Sequence, residues 1–317
     1  MRCSYRKKII YGVITILIFI IFSHPGLYGR SSYEFIEKHN ILKYLHEEVN
    51  VNLTSNAFTN CDYHDIINDE TTLSPNLIEG DLVEGHGIRD GGEYIPQDCR
   101  PRFSTAIIVP YRDRAEQLRG FLVYMHTFFR RQRIHYRIFI IEQVDSRPFN
   151  RAKLLNIGAV AAINAGFPCI VLHDVDLLPL RPSNLYACTK QPRHMSSSIN
   201  KFRFVLPYLT LFGGVISIRT SQYKMVNGMS NEYFGWGAED DDLYSRLRAC
   251  NFKICRFGPE ISQYHMFSHK LQRKGKLRSD LLSFARKRMA ADGLSSLHYL
   301  EVATVLHPLF THIMVDL

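Results

Sequence analysis

Apolar runs that alternate with helical patterns between residues 105 and 172 constrain the fold of this chain more than any other feature. The runs at 105–110, 136–142 and 169–172 have the length of buried strands, and the segments 115–132 and 152–165 carry helical periodicity. A β-α-β-α-β order is typical of a parallel sheet with helices packed on its faces. The sequence therefore predicts an α/β, Rossmann-like fold.

The end of the third run carries two acids, Asp174 and Asp176. Alternate residues of a strand face the same side, and open α/β sheets bind ligands at the carboxyl ends of their strands. The pair is therefore a candidate ligand site, although two acids after a strand also occur in ordinary solvated turns. No Gly-x-Gly-x-x-Gly segment follows the first strand, so the fingerprint of nicotinamide and flavin proteins is absent.

A run of four acids at 239–242 follows the only tryptophan of the chain, Trp236, which stands between two glycines. Acids also favour the first turn of a helix, where each contributes about 0.3–1 kcal/mol against the helix dipole. That alternative explains Asp241 and Asp242 adequately, but it does not explain the Gly-Trp-Gly turn.

Met266 and His269 offer a thioether and an imidazole three residues apart. A Met near a His is usually core packing. The three segments nevertheless occur in order, with apolar strand-like runs between them. Their joint occurrence predicts a metal-assisted sugar-nucleotide site.

The N-terminus predicts a membrane anchor. Basic residues within 1–8 precede the uncharged apolar run 9–22, which is short for a span of about 20 residues. A cleaved signal peptide is the alternative, but the sequence that follows the run lacks the small-x-small pattern that cleavage prefers. We therefore expect an uncleaved signal anchor with the remaining chain in the lumen.

This organisation divides the chain into four parts. We expect a cytoplasmic tip at 1–8, a signal-anchor transmembrane segment at 9–28, a stem at 29–60 and a catalytic domain at 61–317. The single glycosylation sequon begins at Asn52 in the stem.

The six cysteines that follow the anchor fit an oxidising lumen: Cys61, Cys99, Cys169, Cys188, Cys250 and Cys255. An even number in this compartment favours disulfides. Zinc binding is the alternative, but no Cys-x-x-Cys pair occurs. The net charge of +9 belongs partly to the tip and partly to the basic segment 270–288, whose single aromatic residue, Phe284, makes no pattern of aromatic interleaving. We therefore expect no nucleic-acid partner and interpret that segment as a solvated loop and helix near an anionic substrate.

Several motifs in fixed order resemble the beta-1,4-galactosyltransferase family, glycosyltransferase family 7. They are Phe149-Asn150-Arg151-Ala152-Lys153-Leu154-Leu155-Asn156, Asp174-Val175-Asp176, Phe212-Gly213-Gly214-Val215, the segment from Trp236 to Asp242, and Met266-Phe267-Ser268-His269. The similarity begins near Gly91 and continues through Asp292-Gly293-Leu294 to the terminal Val315-Asp316-Leu317. It implies a type II Golgi membrane protein with a GT-A fold, which uses a divalent cation, usually manganese, and inverts the anomeric carbon.

The resemblance also assigns the parts of the donor site. It implies that Asp176, Met266 and His269 bind Mn2+, although the soft sulfur of Met266 is an unusual ligand for that ion. The cation neutralises the leaving nucleoside diphosphate. The family's positions for the UDP-sugar are matched by Pro110, Arg112, Arg114, Phe149, Arg151, Asp174, Val175, Lys201, Leu211, Gly214 and Trp236. Arg151 and Lys201 are also compatible with ordinary surface charges.

The acid run receives separate roles from the same resemblance. Asp240 is implied as the catalytic base that takes the proton from the 4-hydroxyl of the acceptor, with Glu239 as its catalytic neighbour. Glu239 and Asp241 are expected to hold sugar hydroxyls, and Trp236 to lie on a loop that closes over the donor. The implied acceptor-binding residues are Tyr208, Trp236, Ala238, Asp241, Arg278 and Leu282.

Three positions depart from the vertebrate members of the family. Leu211 replaces a Tyr that crowds the C2 substituent of the donor, which leaves room for an N-acetyl group, and invertebrate relatives that transfer N-acetylgalactosamine carry a small aliphatic residue there. Ala238 replaces a Gly and restricts the acid loop. Ser279, beside Arg278, stands where an aromatic residue helps to hold the acceptor's N-acetyl group.

The sequence thus predicts an inverting glycosyltransferase that moves GalNAc or Gal from the UDP-sugar to the 4-hydroxyl of a terminal GlcNAc on a glycan, with GalNAc favoured. The alternatives are a strict UDP-Gal enzyme, a catalytically silent lectin-like relative and, from another class, a metal-dependent phosphodiesterase. By resemblance, Cys61 pairs with Cys99 and Cys169 with Cys188. Cys250 and Cys255 either form a third bridge or remain buried thiols.

Overall fold

The computed structural model describes residues 2–23, 33–54, 59–75, 87–268 and 273–317 of the chain. Its strands are β1 (Ile88–Arg89), β2 (Glu93–Tyr94), β3 (Ser104–Tyr111), β4 (His135–Gln143), β5 (Cys169–His173), β6 (Leu177–Pro179), β7 (Arg193–His194), β8 (Ser198–Ile199), β9 (Val215–Arg219), β10 (Gln263–Met266), β11 (Leu300–Leu306) and β12 (Thr311–Asp316). Its α-helices are α1 (Arg2–Phe22), α2 (Ile41–Tyr44), α3 (His64–Asn68), α4 (Ala115–Arg131), α5 (Arg151–Asn164), α6 (Thr220–Met225), α7 (Glu239–Ala249), α8 (Arg278–Ser283) and α9 (Ala285–Arg288). Short 3-10 helices cover Lys38–Asn40, Asn200–Phe202 and Leu294–Ser296.

The predicted alternation is confirmed as β3-α4-β4-α5-β5, and each boundary agrees within one residue. Strand β3 runs parallel to both β4 and β5. Every residue of β3 is buried, as is usual for a parallel strand covered by helices on both faces. Continuous apolar runs are the sequence consequence of that burial, which explains why these elements were predictable.

The main sheet has nine strands and is mixed rather than wholly parallel. Its order is β1-β2-β4-β3-β5-β9-β7, and the hairpin of β11 and β12 joins the outer edge of β4 through β12. Strand β9 is antiparallel to β5, and β7 is antiparallel to β9. Strand β9 therefore runs opposite to β3, β4 and β5, and β7 beyond it runs in their direction again.

Alternate residues of β3 face two separate cores. Ile107 and Val109 pack with the residues of α4, whereas Ala106 and Ile108 pack with the residues of α5. The sheet thus lies between the two helices. This arrangement leaves the carboxyl ends of β3, β4 and β5 together at one edge.

A second, three-stranded sheet lies beside this edge, in the order β6-β10-β8. Strands β6 and β10 are antiparallel, with Met266 opposite Leu177, and β10 is parallel to β8. The chain after β10 is thereby brought next to the turn that follows β5.

Both implied disulfides are confirmed. Cys61 is bonded to Cys99, and Cys169 is bonded to Cys188. Cys250 and Cys255 are free thiols, and each is only partly buried, so the third bridge is absent from the structure.

Two observations concern the N-terminal part of the chain, where an anchor and a stem are expected. No helix in the parts of the chain that the structure describes is both long and apolar enough to cross a membrane. Residues 24–32 of the expected anchor and stem lie outside the described residues. Within the expected stem at 29–60, Ile41 and Leu45 are buried in the core of the globular unit, which therefore begins before Cys61.

Candidate active site

A cleft of about 270 Å³ opens at the carboxyl edge of the sheet. It is lined by Pro110, Arg112, Arg114, Phe149, Arg151, Asp174, Val175, Asp176, Ile199, Lys201, Phe202, Leu211, Gly213, Gly214, Gly235, Trp236, Glu239, Asp240 and Met266. All eleven residues expected to bind the donor are among them. Asp176, Met266, Glu239 and Asp240 line the same cleft, so groups from distant parts of the sequence meet at one place.

The loop after β4 forms one wall through Phe149. The Arg112 guanidinium carbon lies 5.3 Å from the centre of the Phe149 ring, and Arg112 Nη1 donates to the carbonyl oxygen of Arg147 at 2.7 Å. The backbone N–H of Gly235 donates to the carbonyl oxygen of Phe149 at 2.9 Å. The wall therefore combines a planar apolar face with a cation, a combination suited to a base and its phosphates.

The acid pair is positioned by a turn and not by a strand. Strand β5 ends at His173, and residues 174–176 form the turn that leads into β6. The expectation that Asp174 and Asp176 are alternate residues of one strand is therefore wrong in its local geometry. Both side chains still line the cleft, because the turn lies at the strand end.

The small sheet brings two of the three proposed metal ligands, Asp176 and Met266, close together. The backbone N–H of Phe267 donates to the carbonyl oxygen of Asp176 at 2.9 Å, and the adjacent Met266 pairs with Leu177. Asp176 is 4% exposed, and its carboxylate lies 3.4 Å from Arg114 Nη1. His269 lies outside the described residues. No group of three His, Cys, Asp or Glu side chains suited to a metal occurs among residues that the structure places.

Arg151 lies at the centre of three carboxylates. Its Nε is 2.7 Å from Asp174, and its Nη1 is 2.8 Å from Asp240 and 3.8 Å from Glu239. Its Nη2 is buried without a hydrogen-bond acceptor. Such an unsatisfied buried donor is costly, and its position in the lining of the cleft fits an anionic or hydroxylated ligand. Arg151 is thus not an ordinary surface charge.

This cluster changes the pKa values of its acids. Desolvation and the charges of Glu239, Asp174 and Asp241 raise the pKa of Asp240 to about 8, although the charge of Arg151 lowers it. Desolvation also raises the pKa of Glu239. About a quarter of the Asp240 side chain, 26%, remains exposed to the cleft. A carboxylate of this kind is both accessible and a stronger base than a free aspartate.

The acid run does begin a helix, because residues 239–242 form the first turn of α7. The helical alternative is therefore confirmed together with the placement of Glu239 and Asp240 in the cleft. Ala238, immediately before the helix, has a left-handed φ of 75°, a conformation that costs an L-residue about 1–2 kcal/mol. The backbone of Ala238 is thus strained at this position, where a Gly would not be.

Asp242 points away from the cleft into a buried network. Its carboxylate accepts from Tyr233 at 2.9 Å, from Arg246 at 2.5 Å and from Arg288 at 3.0 Å. Arg246 and Arg288 both also bind Asp292. This acid therefore ties α7 to the C-terminal part of the chain and has a structural role.

Of the residues expected to bind the acceptor, only Trp236 lines the cleft. Tyr208 is hydrogen-bonded to Asp241, which follows the lining residue Asp240 in sequence. The Arg278 guanidinium lies 5.8 Å from the Trp236 ring, so Arg278 is next to the cleft. Ala238 lies directly before the lining residue Glu239 in sequence. Leu282 lies one turn after Arg278 on α8, is half-buried and is not among the residues that line the cleft.

Four lining residues were missed by sequence reasoning: Ile199, Phe202, Gly213 and Gly235. Three of them adjoin predicted site residues, namely Lys201, Gly214 and Trp236, so proximity in sequence was a usable signal. Gly213 is the clearest case, because a Cβ there would collide with the Asp240 carboxylate. Only the folded structure shows that contact.

Two family models match this chain. The N-terminal region of glycosyl transferase group 7 matches residues 67–189, and the N-terminal domain of galactosyltransferase matches residues 193–270. Beta-1,4-galactosyltransferase 2 of Cricetulus griseus is 41% identical over 254 residues, which cover 77% of this chain and 68% of the relative. Beta-1,4-galactosyltransferase 3 of Homo sapiens is 43% identical over 249 residues, which cover 77% and 63%.

Two similar solved structures come from one enzyme. The catalytic domain of Drosophila beta-1,4-galactosyltransferase 7 in complex with xylobiose has a TM-score of 0.58 and 31% identity. A point mutant of the same enzyme in complex with manganese, UDP-Gal and xylobiose has a TM-score of 0.60 and 30% identity. Each comparison covers 68% of this chain and 94% of the other.

Proposed function

The chain belongs to the beta-1,4-galactosyltransferase family, and from this premise we propose that it transfers a hexose from a UDP-sugar to the 4-hydroxyl of a terminal GlcNAc, with inversion at the anomeric carbon. Its structural neighbours share a mixed α/β, GT-A-like fold with it. The observation that carries the proposal is the single cleft in which all eleven expected donor residues meet the Glu239–Asp240 pair.

Asp240 is the proposed base. Inversion requires attack from the face opposite the leaving group, and the attacking hydroxyl must lose its proton to a group within about 2.6–3.2 Å. The Asp240 carboxylate faces the cleft, has a raised pKa and is held by Arg151 at 2.8 Å. Glu239 accepts from the backbone N–H of Gly237 at 3.2 Å, so this second acid stabilises the turn that presents the base.

The turn around Trp236 is the proposed cover of the donor. Gly235 and Gly237 have left-handed φ values of 87° and 109°, which glycine adopts without strain. Trp236 is 54% exposed, and its backbone pairs with Arg273 and Gly275. Closure of this turn over the cleft would exclude the water that otherwise hydrolyses the donor.

A divalent cation is proposed at the rim of the cleft. Asp176 and Met266 line the cleft and lie beside each other through the β6–β10 pairing, and His269 would be the third protein ligand. Mn2+ suits the carboxylate and imidazole, and a structural neighbour binds manganese with UDP-Gal. When bound, the ion would neutralise charge on the leaving diphosphate.

We expect Asp176→Asn to abolish manganese binding with little loss of folding, because the ligand stands in a turn. Electron paramagnetic resonance of a manganese titration measures the binding directly, and circular dichroism measures the fold. Asp65→Asn is the matched control, because Asp65 is exposed on the surface and far from Asp176 in sequence. Unchanged manganese affinity in Asp176→Asn would refute the ligand assignment.

The donor sugar is proposed to be GalNAc in preference to Gal. Leu211 lines the cleft next to Gly213 and Gly214, where a small side chain leaves space for an acetamido group. A strict UDP-Gal enzyme is the second candidate, because the similar proteins are galactosyltransferases by name and a structural neighbour is bound to UDP-Gal. The lectin-like alternative is less consistent with the accessible, high-pKa Asp240.

The proposed location is the Golgi lumen, with the apolar segment 9–28 as a signal anchor and Asn52 as a glycosylated residue. The large apolar side chains of α1 are exposed from Ile9 to Phe22, which fits a hydrophobic environment for this helix. Asn52 is exposed. The two disulfides fit an oxidising compartment.

The deciding experiment measures product formation by the purified protein with manganese, free GlcNAc and each UDP-sugar in turn. We expect a beta-1,4-linked disaccharide, formed faster with UDP-GalNAc than with UDP-Gal. Faster product formation with UDP-Gal would show that Gal, and not GalNAc, is the preferred donor sugar. Sugar binding without any product would favour the lectin-like alternative.

A further inference from the structure

A buried arginine outside the cleft holds the segment that carries Leu211. Arg256 is 5% exposed, and its Nη2 donates to the carbonyl oxygens of Leu209 at 2.8 Å and Leu211 at 3.0 Å. One nitrogen thus fixes two carbonyl groups that are two residues apart. Because the guanidinium is planar and rigid, it sets the path of the backbone at Leu211.

The same guanidinium reaches the next part of this segment through His194. Arg256 Nε donates to His194 Nδ1 at 3.3 Å, so the histidine proton resides on Nε2, which donates to the carbonyl oxygen of Gly213 at 3.0 Å. Burial, and then the charge of Arg256, lower the pKa of His194 well below its usual value. The neutral ring therefore keeps one tautomer and one direction of donation.

Gly213 transmits this arrangement to the catalytic pair. A Cβ on Gly213 would overlap the Asp240 carboxylate, so the backbone at this position packs directly against the proposed base. Leu211, Gly213 and Gly214 line the cleft, whereas Arg256 and His194 do not. Arg256 and His194 thus act on the cleft through the backbone carbonyl groups to which they donate hydrogen bonds.

Arg256 has no carboxylate partner among the ion pairs of the described residues. Desolvation lowers its pKa, and a buried charge without a counter-ion reduces stability. Its guanidinium instead donates to the carbonyl oxygens of Leu209 and Leu211 and to Nδ1 of His194. These contacts indicate a role in positioning rather than in stabilising the fold.

We propose that Arg256 is a positioning residue for donor selection: it fixes residues 209–213 so that Leu211 stands beside the C2 substituent of the UDP-hexose. The inference rests on the proposed function of the cleft. Arg256 thereby contributes to the discrimination between a donor with an acetamido group at C2 and a donor with a hydroxyl group at C2.

The test compares Arg256→Lys with Arg193→Lys. Arg193 is an equally buried arginine without a carboxylate, and it donates to Leu185 at 2.6 Å, away from the 209–213 segment. The chain has a single tryptophan, Trp236, in the cleft lining. Its fluorescence therefore reports binding of UDP, UDP-Gal and UDP-GalNAc, each titrated separately in the presence of manganese.

We expect Arg256→Lys to keep UDP affinity within about twofold while the ratio of UDP-GalNAc to UDP-Gal affinity falls by about tenfold, the lower end of the effect of one misplaced contact. His194→Gln is a second variant with the same expected direction. Arg193→Lys should leave the ratio unchanged. An unchanged ratio in both Arg256→Lys and His194→Gln, or an equal loss in Arg193→Lys, would overturn the proposal.

Hydrogen exchange separates this proposal from the proposed function. Amides of residues 209–214 should exchange faster in Arg256→Lys than in Arg193→Lys, whatever ligand the cleft takes. If the unaltered protein binds no UDP-sugar, the proposed function fails, and donor selection by Arg256 fails with it even where the exchange difference is seen. If it binds them and the exchange of 209–214 is unaltered, the positioning role alone is refuted.

Discussion

At the scale of single residues, Asp240 is where solvation and charge compete most directly. Desolvation and three neighbouring acids favour its protonated form, whereas Arg151 favours the carboxylate. The result is a pKa of about 8 in place of 3.8, close to the range in which a general base works best. The arrangement therefore prepares the residue for proton transfer at some expense of stability.

We expect Asp240→Asn to lower kcat by about 10²- to 10⁴-fold, the usual effect of losing a general base. UDP-sugar affinity should persist, because the other lining residues are unchanged, and Trp236 fluorescence measures it. Asp280→Asn on the exposed surface of α8 is the control. A variant with near-normal turnover would show that another group accepts the proton.

The same pKa predicts how stability depends on pH. The unfolded chain releases the Asp240 proton near pH 3.8 and the folded chain near pH 8, so between these values the folded state binds more protons and the free energy of unfolding falls as pH rises. Asp240→Asn removes this contribution. Its melting temperature should exceed that of the unaltered protein more at pH 8 than at pH 5, measured by calorimetry. An equal difference at both pH values would contradict the raised pKa.

Leu211 is the residue at which donor choice is decided in our proposal. Leu211→Tyr should shift the ratio of kcat/KM toward UDP-Gal by about 10- to 200-fold, because the ring would occupy the space of the N-acetyl group. The measurement is initial rate with each donor at fixed acceptor and manganese. Leu209→Tyr, also in the segment but outside the cleft lining, is the control. An unchanged ratio would place Leu211 away from C2 of the donor.

At the scale of elements, close packing of α5 on the sheet determines where the cleft residues lie. Arg151 begins α5, and Asn150 caps it by accepting from the Lys153 N–H at 2.9 Å. Gly158, two turns later, lets the helix approach β3, since a Cβ there would collide with Ile108. The position of Arg151 in the cleft thus depends on a glycine deep in the core.

Gly158→Ala should lower the free energy of unfolding by about 1–3 kcal/mol through overpacking. Gly120→Ala is the matched control, because Gly120 lies in α4 with open space where a Cβ would stand. There the change should raise stability by about 0.5–1 kcal/mol through helix propensity. Urea denaturation measures both. Destabilisation of equal size in the two variants would refute the packing explanation.

At the scale of the whole molecule, the disulfide between Cys169 and Cys188 connects the first residue of β5 to the loop between β6 and β7. Tyr186, in this loop, is hydrogen-bonded to His173 at 2.9 Å, directly before the Asp174 turn. The loop therefore supports the acid turn from the core side. The disulfide closes this loop over a sequence separation of 19 residues.

The double change Cys169→Ser with Cys188→Ser should lower the free energy of unfolding by about 3 kcal/mol, as expected for a loop of this length. Cys250→Ser, at a free thiol, should change it by less than about 0.5 kcal/mol. Thermal unfolding under non-reducing conditions compares the two. Stability within error of the unaltered protein would mean that packing alone holds the loop.

Sequence alone determined the central βαβαβ unit and predicted most of the residues that line the cleft. Strands buried on both faces produce continuous apolar runs, and amphipathic helices produce a 3.6-residue period, so β3, α4, β4, α5 and β5 were predictable to within one residue. Motifs in fixed order predicted the eleven donor residues, all of which line the cleft; their role in binding the donor stays a prediction.

Only the tertiary structure decided how those residues act on one another. Residues 151, 174 and 240 are far apart in sequence, and only the fold brings them together. Desolvation and the nearby acids raise the pKa of Asp240 there, against the charge of Arg151. The turn geometry of Asp174, the mixed sheet and the Arg256–His194 support of Gly213 carry no local sequence signal. Each depends on long-range packing, and hydrophobic periodicity reports only which face of an element is buried, not what it meets there.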